Sequence, residues 1–319
     1  MKMTKEEKIE WARKLRQPSN LPFEAPENYL GCLNDVSEKT LMIPTSVGDS
    51  TCYLFEKNSG AVNDVLFVNI HGGGFVQLHN LFDRALCATY ALELGCRVLD
   101  IDYRVAPESP FPIPVIECYE VIQWVLNHGE KLGINPDKVI VGGNSAGATL
   151  TASACIMAQE KGGKVPAMTL LIYPGADSFL SPEESCILND GEEPDLSDLR
   201  VRGVLYNTLY TDNDPSLAGS PYVNLGLATE EQLAKFPDTL VITAGKDYLR
   251  YGGERFAGLL AASGSKIILQ RFKNSDHGFY VRCMGTEWRD ARELAMNTIC
   301  AKFGLKRIKT PELNADSNQ

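Results

Sequence analysis

The feature that most constrains the fold is a series of short, almost uninterrupted apolar runs separated by segments of helical periodicity. Such runs are typical of strands buried on both faces of a sheet, and the helices between them indicate that the strands run parallel. The alternation therefore predicts an α/β fold, with helices covering both faces of a mostly parallel sheet. The predicted strands cover residues 64–70, 96–103, 138–143, 168–174, 238–245 and 266–272. The predicted helices cover residues 5–17, 115–126, 146–160, 253–263 and 286–303.

The alternation stops between about residues 178 and 236, where the sequence is acidic and rich in turn residues. This stretch is too long for an ordinary connection, so it predicts a lid or a small insertion. The last residues are polar and predict a frayed end. The domain prediction is an N-terminal cap segment over 1–40, a catalytic core over 41–177 and 223–309, a cap or lid insertion over 178–222, and a flexible tail over 310–319.

Charge and composition exclude several classes of partner. The 319 residues have a net charge of −10, which disfavours nucleic acid and anionic membrane surfaces. The N-terminus lacks the apolar core of a signal peptide, and no apolar run approaches the ~18 residues of a membrane span. The nine cysteines form no C-x-x-C pair. We therefore expect a reduced, cytoplasmic protein that binds neither nucleic acid nor membrane and has no metal site.

The stretch VIVGGNSAGATL, residues 139–150, predicts a strand, a tight turn and a helix. Two different kinds of site share this arrangement. A phosphate-binding loop of the form G-x-x-x-x-G-K-[ST] would need lysine where Ala148 stands, and that lysine neutralises the phosphates. A dinucleotide-binding turn would need its second glycine where Asn144 stands. Each phosphate site thus lacks a residue with a specific task.

The same stretch matches G-x-S-x-G at Gly143, Ser145 and Gly147. In this turn a serine is lifted above the sheet at a helix N-terminus, and flanking side chains would collide with the strand or the helix. The motif alone leaves two interpretations open, a nucleophilic serine and a structural one.

Two further motifs favour the nucleophile. HGGGF, at 71–75, directly follows a predicted strand, and its bare backbone N–H groups suit a developing oxyanion. A serine also needs a base, and the chain has four histidines. His71 belongs to the glycine loop, His128 ends a helix, and His79 has no patterned partner. His277 follows the last strand in a polar turn and is the predicted base.

The predicted acid is Asp247, just after the strand in VITAGKDYL. A carboxylate there would hold the imidazole tautomer and stabilise the imidazolium. Asp276 and Asp238 are rivals, but Asp276 adjoins the histidine and Asp238 begins a strand. The order Ser145, Asp247, His277 is that of the α/β-hydrolases.

Taken in order, the motifs HGGGF, DYRVAPE, GNSAGA, GKDYL and DHGF resemble the hormone-sensitive-lipase-like branch of the α/β-hydrolase esterases, over about residues 65–305. The resemblance implies an eight-stranded sheet, a small helical cap, and hydrolysis of short-chain acyl esters without a cofactor or metal. It places the oxyanion donors at the backbone N–H groups of Gly73, Gly74 and Ala146. The supporting positions of these motifs are His71, Gly72, Gly143 and Gly147.

The resemblance also implies that Asp102, Tyr103, Arg104 and Glu108 brace the glycine loop. Two positions depart from the family pattern. Asn144 stands where Asp or Thr is frequent, and Ala148 where Gly is frequent. These departures leave the subfamily, and hence the substrate, open.

The resulting hypothesis is a serine carboxylesterase that acts on a small-molecule ester through an acyl-enzyme. Cleavage of amides or peptides by the same three residues is an alternative, and a non-catalytic small-molecule binding module is another. The sequence leaves open whether a homodimer forms through an edge strand near 266–272.

Overall fold

The computed structural model describes residues 3–17, 23–26, 29–177 and 197–308, with side chains from residue 203 onward in the last range. The predicted tail and residues 178–196 of the predicted insertion lie outside the described residues, so the proposed division into core and cap stays a prediction.

Eight strands form one sheet in the order β1-β2-β4-β3-β5-β6-β7-β8. The pairs β1–β2 and β2–β4 are antiparallel, and all the other neighbours are parallel. The predicted mostly parallel sheet is thus confirmed. The strands are β1 (Val36–Ile43), β2 (Ser50–Lys57), β3 (Leu66–Ile70), β4 (Arg97–Asp102), β5 (Val139–Asn144), β6 (Met168–Ile172), β7 (Asp238–Ala244) and β8 (Ile267–Phe272).

Helices cover both faces of this sheet. On one face α2 and α9 pack on alternate strand residues such as Phe67, and on the other face α3 and α4 pack on its neighbours Leu66 and Val68. The helices are α1 (Lys5–Leu15), α2 (Leu81–Leu94), α3 (Ile113–His128), α4 (Ala146–Lys161), α5 (Ser197–Thr211), α6 (Glu230–Leu233), α7 (Arg250–Ala262), α8 (Phe279–Arg282) and α9 (Glu287–Phe303).

Four of the longer elements were not predicted from the sequence. Strands β1 and β2 pair at one side of the sheet, and β1 exposes most of its side chains, so neither is an apolar run. Helix α2 is buried on nearly every side, so its apolar residues show no amphipathic period. Helix α5 lies in the stretch where the alternation stops.

Strand β8 is not the buried strand that its composition predicts. It is the last strand of the sheet and exposes four of its six residues, among them Ile268 and Leu269. In α1, likewise, Ala12 and Leu15 are buried whereas Ile9 and Trp11 are exposed. Whether a homodimer forms through the β8 edge stays open.

The order of the strands places the loops that matter next to each other. Strand β3 pairs with β4 on one side and with β5 on the other, so the chain reverses its direction of travel across the sheet between β3 and β5. Open α/β sheets form a crevice beyond the carboxyl ends of the strands at such a point. The HGGGF loop follows β3 and Ser145 follows β5, so both lie at this crevice.

The first turn of α4 packs directly on the end of β3. A Cβ atom at Gly147 would lie 1.9 Å from the carbonyl oxygen of Ile70 and 2.6 Å from that of His71. Both obstacles are backbone atoms, which cannot rotate away as a side chain can. Only a residue without a side chain permits this approach.

We expect Gly147→Ala to lower the free energy of unfolding by about 3 kcal/mol, because α4 would have to move off β3. Gly258→Ala is the matched control. Gly258 lies inside α7 with no atom within 4 Å of the added Cβ, so alanine there should raise stability by about 0.5–1 kcal/mol. Urea unfolding of both variants measures the difference, and parent-like stability of Gly147→Ala would contradict the packing argument.

Candidate active site

Ser145 lies between the end of β5 and the start of α4. Its backbone has φ 52° and ψ −120°. Residues with a side chain rarely adopt this conformation, which costs on the order of 1–3 kcal/mol. The surrounding sheet holds it in place, because the Ser145 N–H donates to the carbonyl of Ile172 at 2.9 Å. A Cβ at Gly143 would lie 2.5 Å from the backbone of Gly147, so the two glycines leave room for this turn.

The structure brings Ser145, His277 and Asp247 together in one hydrogen-bonded chain. The Oγ of Ser145 lies 3.0 Å from Nε2 of His277, and Nδ1 of His277 lies 2.6 Å from Oδ2 of Asp247. The Asp247 side chain is fully buried, whereas that of His277 is 17% exposed. In such a chain the carboxylate orients the imidazole, and the other ring nitrogen can accept the serine proton.

Asp247 is held by its own loop. Its other carboxylate oxygen accepts the N–H of Leu249 at 2.9 Å, two residues further on, just before α7 begins. Neither rival carboxylate takes this place. Asp276 is exposed, and Asp238 pairs with Lys302 at 2.6 Å at the start of β7.

Sequence reasoning missed Tyr173, whose ring centre lies 4.8 Å from that of His277. Tyr173 follows β6, is buried, and has a positive φ of 38°. Its ring forms one wall beside the imidazole. The signal in the sequence is weak, because an aromatic residue at the end of a strand is common in any sheet core.

The HGGGF loop turns back beside the start of α4. Gly73 and Gly74 have φ values of 116° and 61°, which glycine adopts without strain. The carbonyl of Gly73 accepts the N–H groups of Val76 and Gln77, which closes the turn. In the part of the chain that the structure describes, no backbone carbonyl accepts the N–H of either glycine.

Ala146 adds a third backbone donor. It is the first residue of α4, and the first N–H groups of a helix have no acceptor within the helix. The contact of Gly147 with the carbonyls of Ile70 and His71 places this helix end against the start of the glycine loop. Gly72 packs against Asn144, since a Cβ there would lie 2.2 Å from the Asn144 side-chain oxygen.

Two of the four predicted bracing residues hold the glycine loop. The Tyr103 hydroxyl donates to the carbonyl of His71 at 3.1 Å, and the two rings stack with centres 4.2 Å apart. Glu108 binds Arg16, whose Nε donates to the carbonyl of Val76 at 2.9 Å.

The other two predicted bracing residues contact different parts of the structure. Arg104 pairs with Glu117 at 2.7 Å, and Asp102 accepts from Tyr53 at 3.4 Å.

A buried polar network lies beneath the loop. Asp100 in β4 accepts from Asn69 at 2.7 Å and binds His79 Nε2 at 2.6 Å. Burial opposes protonation of His79, but the hydrogen bond and charge of Asp100 outweigh it, so the pKa of His79 is raised. Burial lowers the pKa of His71 to about 4, with a further contribution from the neighbouring His79. His71 is therefore neutral at physiological pH.

His128 lies apart from this network. Its Nδ1 lies 3.0 Å from the carbonyl oxygen of Trp124, so the contact stays within the last turn of α3. Of the four histidines, His277 is the one that contacts Ser145.

Asp83, in the first turn of α2, is buried at the edge of the same network. Its carboxylate accepts from Asn80 at 2.6 Å. Burial and the charge of Asp100 raise the pKa of Asp83 to about 7, although the charges of His79 and Arg282 act in the opposite direction. The folded protein thus keeps a proton on Asp83 at a pH where the unfolded chain has lost it.

Because the folded-state pKa of Asp83 is raised, this carboxyl makes folding less favourable as the pH rises from about 4 to about 7. Asp83→Asn removes that titration. We expect the melting temperature of the variant, relative to the parent, to be higher at about pH 8 than at about pH 5. Calorimetry at both pH values tests this, and an equal difference at both would contradict it.

Within the described ranges, no three His, Cys, Asp or Glu side chains are gathered closely enough to hold a metal ion. No helix in those ranges has both the length and the apolar character needed to cross a bilayer.

Comparison with known proteins identifies relatives over the segment that carries these motifs. Residues 67–281 match the model of a family described by the α/β-hydrolase fold. A carboxylic ester hydrolase, LipN, of Mycobacterium tuberculosis is 32% identical over 247 residues, which is 75% of this chain and 63% of LipN. The hormone-sensitive lipase of Bos taurus is 35% identical over 127 residues, 39% of this chain and 17% of the lipase. The chain thus spans under two thirds of the length of either relative.

Among solved structures, an esterase from the archaeon Pyrobaculum calidifontis superposes with a TM-score of 0.74 at 29% identity, over 92% of each chain. The fold predicted from the motifs and the resemblance to the hormone-sensitive-lipase-like branch are both confirmed. This chain belongs to the α/β-hydrolase fold family, and its likeness to hormone-sensitive lipase is consistent with the branch that the motifs resemble.

Proposed function

We propose that the chain is a serine carboxylesterase that hydrolyses short-chain acyl esters of small alcohols. The observation that supports this best is the hydrogen-bonded chain from Ser145 through His277 to Asp247, next to a glycine loop with bare N–H groups. The related proteins are named as esterases, carboxylic ester hydrolases and lipases, which agrees with this chemistry.

In the first half of the proposed reaction, Oγ of Ser145 attacks the ester carbonyl carbon while its proton passes to Nε2 of His277. The N–H groups of Gly73, Gly74 and Ala146 stabilise the oxyanion, and one such donor is typically worth about 3 kcal/mol of the barrier. The tetrahedral intermediate then collapses, and the leaving alkoxide takes the proton from His277. An acyl group remains on Ser145.

In the second half, water attacks the acyl carbon and gives a proton to His277. A second tetrahedral intermediate forms in the same oxyanion site. It collapses to release the carboxylic acid, and the imidazolium returns the proton taken from water to the departing oxygen of Ser145. Asp247 keeps its negative charge throughout and stabilises the imidazolium each time it forms. No cofactor or metal enters this scheme.

Ser145→Ala removes the nucleophile. We expect its kcat for p-nitrophenyl acetate to fall at least about a thousandfold, with an unchanged melting temperature. A fluorophosphonate probe should label the parent and leave the variant unlabelled. Parent-like hydrolysis by the variant would refute the nucleophile. Failure of the parent to label or to hydrolyse any ester would favour a non-catalytic binding module.

Asp247→Asn keeps the shape of the side chain but loses the charge that stabilises the imidazolium. We expect kcat to fall by about 10⁴-fold, as for other enzymes with this arrangement. Asp276→Asn is the matched control, because the exposed Asp276 is adjacent to His277 in sequence and should leave kcat unchanged. Equal losses in the two variants would show that Asp247 has no special role.

The amidase alternative uses the same three residues, so it is tested by substrate. A matched pair, such as p-nitrophenyl acetate and p-nitroacetanilide, gives the ratio of kcat/KM for ester and amide. We expect the ester to be strongly preferred. A higher kcat/KM for the anilide than for the ester would favour the amidase over the esterase.

A further inference from the structure

Helix α5 crosses above the loops that hold the candidate active site. Three of its residues, spaced by three and four, lie on one face: Gly203, Tyr206 and Tyr210. A Cβ at Gly203 would lie 2.4 Å from the hydroxyl of Tyr248, the residue after Asp247. One turn further on Tyr206 meets the glycine loop, and Tyr210 stacks on Phe75 with ring centres 3.9 Å apart. The helix thus runs from the Asp247 loop to the glycine loop.

The ring of Tyr206 packs directly on Gly74. A Cβ at Gly74 would lie 2.3, 2.4 and 2.7 Å from three atoms of this ring. The ring therefore fills the space beside one of the proposed oxyanion donors. Any part of a substrate that extends from the carbonyl carbon along the glycine loop must meet it.

Packing on Gly74 holds the ring, and a hydrogen bond from Gln77 adds to it. The side-chain amide of Gln77, three residues after Gly74, donates to the Tyr206 hydroxyl at 2.8 Å and to the carbonyl of Leu15 at 3.2 Å. Leu15 is the last residue of α1, and Arg16 ties the same helix end to the carbonyl of Val76. Tyr206 is thus carried by α5, packs on the glycine loop and is linked through Gln77 to the end of α1, so its ring forms a wall held by other segments.

Chemistry decides which part of an ester meets this wall. The leaving oxygen must lie within hydrogen-bond reach of His277 Nε2, which protonates it. The carbonyl oxygen points at the N–H groups of the loop, and Ser145 approaches from below. The remaining substituent of the carbonyl carbon is the acyl chain, which is directed away from both His277 and the carbonyl oxygen and so passes beside the glycine loop, where Tyr206 lies.

We propose that Tyr206 is the residue that limits the length of the acyl chain. This inference rests on the proposed esterase function and deepens it, because it gives a physical reason for a short-acyl substrate. The hydroxyl of Tyr206 only positions the ring, through Gln77, whereas the ring itself excludes the longer chain.

Two substrate series test the proposal on the full chain. In the acyl series p-nitrophenyl esters run from acetate to octanoate, and in the alcohol series the acyl group stays acetyl while the alcohol varies. Each added methylene that finds an apolar site is worth roughly 10-fold or more in kcat/KM. We expect Tyr206→Ala to raise the octanoate-to-acetate ratio of kcat/KM at least about tenfold. Ratios within the alcohol series should stay within about twofold of the parent.

Two further variants act as controls, and a third replaces Tyr206→Ala if that variant does not fold. Tyr206→Phe keeps the ring and loses the bond to Gln77, so we expect the parent acyl profile. Val204→Ala changes an exposed residue of the same helix and should leave both series unchanged. If Tyr206→Ala does not fold, Tyr206→Leu, with a smaller side chain, should shift the octanoate-to-acetate ratio in the same direction.

The outcomes separate this inference from the function it rests on. If the parent hydrolyses acetate and the ratio does not rise in Tyr206→Ala or Tyr206→Leu, the acyl-wall inference is wrong and the esterase stands. A change confined to the alcohol series, or an equal shift in Tyr206→Phe, also overturns it. If the parent hydrolyses no ester of either series, the proposed function itself fails.

Discussion

The candidate active site depends on a backbone contact in which no side chain takes part. The first turn of α4 lies against the end of β3, so that Gly147 touches the carbonyls of Ile70 and His71. This contact fixes three things at once. It supports the strained turn at Ser145, it fixes the position of Ala146 at the start of α4, and it places the glycine loop beside both. The strain at Ser145 persists because the sheet and the helix on either side determine the turn between them.

Beneath this contact the protein buries polar and ionisable groups that would otherwise be unfavourable in a core. Asp100 binds both Asn69 and His79, and His71 is stacked on Tyr103 and kept neutral. A buried charge is tolerated only where partners satisfy it. These groups lie under the glycine loop, where the backbone must be held although glycines give it freedom. The buried network therefore supports the backbone of the glycine loop above it.

The sequence predicted the parts of the molecule whose physics is local. Strands buried on both faces were visible as apolar runs, and the turn at Ser145 was visible because only certain residues fit it. Strand β1 was invisible because one side of it faces solvent, and α2 because burial on all sides removes the period of an amphipathic helix. Strand β8 was misinterpreted because its composition is apolar although its place at the edge leaves it exposed.

The sequence by itself determined which residues could do the chemistry, since Ser145, Asp247 and His277 follow strands in the chain order of the α/β-hydrolases, and HGGGF can offer bare N–H groups. Only the tertiary structure decided which of these residues meet. It places Asp247, rather than Asp238 or Asp276, against His277, and it brings Tyr173 and Tyr206 to the site from segments that carry no motif. The physical reason is distance along the chain. A motif reflects what a turn requires of its own residues. The side chains that line the site, in contrast, come from distant segments that helix packing brings together.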